Sequence, residues 1–122
     1  MTQEEKDLVL KDICSRLPYG IKVNNEIQGD FKIYGICENF VFGRNEVCHI
    51  DFDIEKIKPY LFPLSSMTEE QIKEFNSITQ KCNTYIGKSI LLTDFCNKHH
   101  IDWRGFIEKG LALDATGLDI YE

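Results

Sequence analysis

Residue types able to do chemistry gather in a few places along this chain. His49, Asp51 and Asp53 alternate with Cys48, Ile50, Phe52 and Ile54. A side-chain period of two puts an imidazole and two carboxylates on one face of a strand, with neighbours about 6.6 Å apart, twice the strand rise. Such a ladder could hold a divalent metal or supply an acid–base pair. A water-facing sheet surface has the same composition, and that plainer reading is preferred. Cys96 and His99, three apart on a helical stretch, could face one metal. Zinc would need two more ligands, from Cys82, the Cys48–His49 pair or His100. With no Cys-x-x-Cys in the chain, a core thiol beside a histidine at a helix C-terminus is the better account. No catalytic residue, metal ligand or cofactor site is assigned.

Binding chemistry is denser. His99-His100-Ile101-Asp102-Trp103-Arg104-Gly105 concentrates the residue types that recur in interface hot spots. Its structural alternative is a Trp103 packed in the core and an Arg104 paired with a carboxylate. Tyr60 and Phe62 lie on a segment with two prolines and read as an aromatic ridge or as lids over one end of a sheet. The candidate partner-binding residues are therefore Tyr60, Phe62, His99, His100, Trp103 and Arg104. Lys22, Lys32, Tyr34 and Arg44 would serve a nucleic-acid surface if folding brought them together.

The elements that must position these residues follow from patterning. Thr2 with Glu5 is a capping box, and Val9, Leu10, Ile13, Cys14 and Leu17 continue as a helical stripe. Pro18-Tyr19-Gly20 ends that helix. Ile21-Lys22-Val23 opens a strand that turns at Gln28-Gly29-Asp30. The return strand puts Phe31, Ile33, Gly35 and Cys37 on one face and Lys32, Tyr34 and Ile36 on the other. Phe40-Val41-Phe42 follows, and Gly43-Arg44-Asn45 turns into the strand that carries His49. Pro59 and Pro63 make 58–67 an extended strap rather than a helix. Thr68 with Gln71 is a second capping box, ahead of Ile72, Phe75 and Ile78. Residues 82–88 read as a loop, Ser89 as the cap of a third helix, and Asp102 as the cap of a fourth that stops at Lys109-Gly110.

The expected fold is α+β in a single domain of 1–122. It has an N-terminal helix (1–20), a four-stranded antiparallel meander (21–57) that can close as a small SH3-like barrel, the strap, and a mainly helical stretch (68–122) packed on the sheet. With 122 residues and 43% hydrophobic content, the chain can build a real core. Net charge is −6, from 8 basic and 11 acidic residues in 1–60 and 6 and 9 in 61–122. No half is basic, so nucleic acid is disfavoured as a partner unless folding makes a local patch. Five cysteines in irregular spacing read as reduced, mostly buried thiols. An acidic N-terminus without an apolar h-region and the lack of any membrane-spanning run point to the cytoplasm.

Three blocks carry a family resemblance: Leu17-Pro18-Tyr19-Gly20-Ile21-Lys22-Val23, then Lys58-Pro59-Tyr60-Leu61 through Pro63-Leu64-Ser65-Ser66-Met67-Thr68-Glu69-Glu70, and His99-His100-Ile101-Asp102-Trp103-Arg104-Gly105-Phe106-Ile107-Glu108-Lys109-Gly110-Leu111-Ala112. The chain resembles a family of short uncharacterised proteins met in gut Bacteroidetes genomes, often in prophage or other mobile-element regions. It departs at Phe62, where an arginine is common, at Trp103, where a tyrosine is common, and in a shorter 80–90 segment. The resemblance implies no catalytic residues. It implies an accessory protein of a mobile element or its host rather than a metabolic enzyme, and the leading reading of the chain is a non-enzymatic module that docks on a protein partner through the Trp103/Arg104 region or the strap. A nucleic-acid-binding small barrel and a small metal-dependent enzyme are the alternatives.

Overall fold

The computed structural model describes residues 1–121. Helix α1 (Gln3–Arg16) starts at the Thr2/Glu5 capping box and ends in a 3₁₀ turn, Leu17–Tyr19. Gly20 closes that turn at φ 73°, a left-handed conformation that glycine adopts without steric cost. Strands β1 (Lys22–Asn25), β2 (Gly29–Cys37), β3 (Phe40–Arg44) and β4 (His49–Asp53) form the expected antiparallel meander. Two asparagines make its first and third turns. The Asn25 carboxamide oxygen accepts from Ile27 N and Gln28 N, and that of Asn45 from Val47 N and Cys48 N. Gly43 and Arg44, expected in a turn, lie within β3. An added Cβ on Gly43 would come within 2.9 Å of the Phe31 side chain, so this glycine is where the inner face packs closest.

The sheet has six strands rather than four, in the order β4-β3-β2-β1-β5-β6. The proline-containing segment supplies β5 (Lys58–Leu61), antiparallel to β1. Leu113–Asp114 forms the short β6, parallel to β5. Strands β4 and β6 are edges, so the barrel is not closed. It is nonetheless coiled. Five peptide units from Asp53 to Lys58 reach at most about 18 Å, whereas β4 and β5 in a flat sheet would stand about 19 Å apart. Part of that link is spent in a 3₁₀ turn, Ile54–Lys56, so the sheet has to curl. A bulge between Ile33 and Gly35 bends β2 and reverses its alternation. Beyond it, Ile36 packs toward the core and Cys37 is exposed, opposite to their expected faces.

Alternation in β4 is as expected, with Phe52 buried and His49 and Asp51 exposed. Val23, Phe31, Ile33, Val41 and Phe52 meet Val9 and Ile13 of α1 in the main core, together with Phe106, Leu111 and Ala112. Helices α2 (Glu69–Lys81) and α3 (Tyr85–Lys98) were expected on the sheet. Instead they pack on each other around a separate small cluster of Phe75, Ile78, Phe95, Cys96 and Ile101, with Met67. Thr84, not Ser89, caps α3.

The fourth helix is absent among the described residues. Asp102 accepts from Phe106 N and Ile107 N, both at 2.9 Å, and so caps a loop in which Gly105 takes φ 77°. Of the five free cysteines only Cys96 is buried, and Cys14 and Cys37 are exposed. No helix among the described residues is long and apolar enough to cross a membrane.

Candidate functional site

Two assemblies of polar side chains stand out, one internal and one on the surface. The internal one joins α1 to the segment that follows α3. Asp12 and Arg16 are both fully buried and form a two-pronged ion pair, Nε to Oδ2 at 2.9 Å and Nη2 to Oδ1 at 3.2 Å. Arg16 also donates to the carbonyls of Ile101 at 2.7 Å and Cys96 at 3.3 Å. Arg104 donates to Asp12 at 3.2 Å and lies over the Trp103 ring, 4.1 Å from its centroid. The Trp103 indole donates to Asn97 at 3.2 Å. Each charge and carbonyl here is answered by a partner, as a buried ion pair requires. Asp12 and Arg16 were not expected as buried residues, although their spacing from Val9 and Ile13 puts them on the same helical stripe.

A second internal cluster closes around Tyr121. Its hydroxyl donates to Tyr60 O at 2.7 Å and accepts from Lys22 N at 3.1 Å. Its ring stacks on His100, centroids 3.8 Å apart and 11° from parallel. His100 Nε2 donates to Tyr19 O at 3.0 Å, so that nitrogen carries the proton, and Nδ1 is buried without a partner. Burial first, then the Arg16 charge, push the His100 pKa down to about 4. Burial likewise raises Tyr121. Tyr60 is pushed up to about 12 by burial and by the hydrogen bond it donates to Asp30 at 2.7 Å.

The six candidate partner-binding residues therefore divide. Tyr60 and His100 are buried and used within the fold. Phe62 is held by a bridge to Ile101, with its N–H on His100 O and its carbonyl receiving Asp102 N–H, both at 2.8 Å. His99 packs on Phe95 at 4.7 Å between ring centroids and stands 3.6 Å from the Glu74 carboxylate, beyond hydrogen-bond reach. Trp103, 37% exposed, and Arg104 retain surface, but their polar atoms face the internal network.

The surface assembly is the outer face of the meander. Lys22 is paired with Lys32, Lys32 with Arg44, and Arg44 with His49. Residues directly opposite across neighbouring strands share a face, so these four side chains form one row spanning about 14 Å. Beside the row, Tyr34 is 49% exposed, with the Arg44 guanidinium 5.7 Å from its centroid, His49 at 5.9 Å and Phe42 at 6.3 Å. Phe40 extends the aromatic strip. Carboxylates flank it. Asp51 and Asp53 stand opposite Phe42 and Phe40 on β4, Asp30 is engaged by Asn24 and Tyr60, and Glu46 lies in the turn.

The four residues named for a nucleic-acid surface, Lys22, Lys32, Tyr34 and Arg44, are thus brought together. The His49, Asp51 and Asp53 ladder lies at the β4 edge of that surface, where Asp53 caps the turn at Glu55 N, 3.0 Å away. Burial raises the Cys96 thiol above its ordinary value, which suits a core sulfur rather than a nucleophile. No group of three or more His, Cys, Asp and Glu among the described residues is placed to hold one metal ion. No family model, curated protein or solved structure matches this chain.

Proposed function

We propose that this chain is a non-enzymatic binding module that receives its partner on the outer face of the β1–β4 sheet. We further place it in the cytoplasm as an accessory protein of a mobile element or its host. The observation that supports this reading is the in-register row Lys22–Lys32–Arg44–His49 beside the exposed rings of Tyr34 and Phe40. Large aromatic side chains are normally withdrawn into a core of this size, and cations held in a row contribute nothing to the core beneath them. The opposite side of the same strands carries the packing, which leaves the outer side available for recognition. Trp103 and Arg104, favoured from sequence, serve the internal network instead. The test passes host extract over the immobilised parent chain and over the immobilised double variant Tyr34→Ala/Arg44→Glu. Macromolecules held by the parent and lost from the variant support the reading. Equal retention overturns it.

A further inference from the structure

Resting on that reading of the outer sheet face, we infer that its ligand is a single-stranded nucleic acid, with phosphates along Lys22, Lys32 and Arg44 and bases stacked on Tyr34 and Phe42. Charge complementarity selects the class. On a chain of net charge −6, three cations lie opposite one another on three adjacent strands. Of the flanking carboxylates, Asp30 is held by Asn24 and Tyr60, Glu46 lies in the turn after β3, and Asp51 and Asp53 stand opposite Phe42 and Phe40 rather than opposite a cation. Charge alone would suit any polyanion, and the aromatic strip narrows the choice. Tyr34 and Phe42 rings 6.3 Å apart, tilted by 31° and beside the cation row, offer flat surfaces to unpaired bases. A duplex hides those base faces, and an acidic peptide has no use for them. Lys22 Nζ already donates to Ile120 O at 2.7 Å, so Lys32 and Arg44 are the cations free to meet phosphate first.

Fluorescence anisotropy tests this with labelled oligo-dT and oligo-U strands of about 12 nucleotides, within the span a small sheet platform covers. A duplex of equal length and a poly-glutamate peptide are the competing probes. The expected result is binding of a single strand, with log K falling against log salt at a slope of about −2, as three phosphate contacts require. Tyr34→Ala should weaken binding about fivefold or more, and Tyr34→Phe should restore it. Lys32→Glu should flatten the salt slope. Whether oligo-dT or oligo-U binds tighter identifies the source of the strand. No retention of either strand at low salt, duplex or peptide binding as tight as single strand, or indifference to Tyr34→Ala would each overturn the inference. The extract comparison under Proposed function is read separately, so a failed ligand class leaves the surface itself to stand or fall on its own result. Both positions are exposed, and unchanged melting of each variant confirms that binding, not folding, is what moved.

Discussion

Helices α1 and α2 begin with the same device and end in opposite circumstances. Each has a threonine cap closed by a residue three positions on, Glu5 in one and Gln71 in the other. Their lengths are 14 and 13 residues. Yet α1 buries Val9, Asp12, Ile13 and Arg16, and α2 buries none of its residues. A local start signal decides that a helix forms. What closes over it decides how much that helix contributes. Helix α1 lies between a coiled sheet and the residue 99–121 segment, so even a charged pair on its stripe is enclosed. Helix α2 has only α3 beside it and a small apolar cluster beneath.

Breaking that contrast starts at its strongest point. Arg16→Ala should destabilise the fold by about 3–5 kcal/mol, because it breaks the buried pair, leaving the Asp12 carboxylate with Arg104 as its remaining cation and removing the side-chain donor to the carbonyls of Cys96 and Ile101. Urea unfolding followed by circular dichroism gives the number. A loss under about 1 kcal/mol would mean that water reaches the pair and that α1 is no better enclosed than α2.

The next effect is pH. The folded pKa of His100, about 4, lies below its ordinary 6.5, so the native state binds fewer protons than the unfolded chain between those values. Stability is therefore fully present above about pH 6.5 and is lost as pH falls toward 4, by up to about 3 kcal/mol. Melting temperatures at pH 7.5 and 4.5 should diverge in the parent by more than in His100→Gln. Equal divergence would place the acid sensitivity elsewhere. The smallest effect is on the other helix. Ile72, 43% exposed on α2, should tolerate serine within about 0.5 kcal/mol. Hydrogen exchange should find the α2–α3 amides opening before those of α1. A cost above 1 kcal/mol at Ile72 would show the hairpin to be part of the main cooperative unit.

Elements with a period or a cap were readable in the sequence. Both capping boxes, the alternation of His49 through Asp53 and the extended character of Lys58–Leu61 appear as expected. Errors occurred where two local signals competed. Gly29 and Gly43 drew the expected turns toward themselves, whereas Asn25 and Asn45 make them through their side chains. Ser89 stands just before the apolar run Ile90-Leu91-Leu92 and so reads as a cap, whereas Thr84 caps α3 one turn earlier. Asp102 caps backbone amides four and five residues on, a loop geometry that a helix-cap pattern also fits. Two-residue β6 has no period to detect, and the β2 bulge reverses a face without any change in composition. Of the site, the residue types at Lys22, Lys32, Tyr34 and Arg44 were visible, but their grouping was not. It depends on cross-strand register, which brings together residues that lie 10 and 12 positions apart in the chain.

Tyr121 carries a consequence for the order of assembly. Its hydroxyl spans β1 and β5, reaching back 99 positions to Lys22 and 61 to Tyr60. Contacts of such long range make folding slow relative to helical proteins, since loop closure has to precede the interaction that rewards it. The first and fifth strands already pair through their backbones, so Tyr121 comes last in the chain as an added side-chain tie across a seam that its own ladder has made.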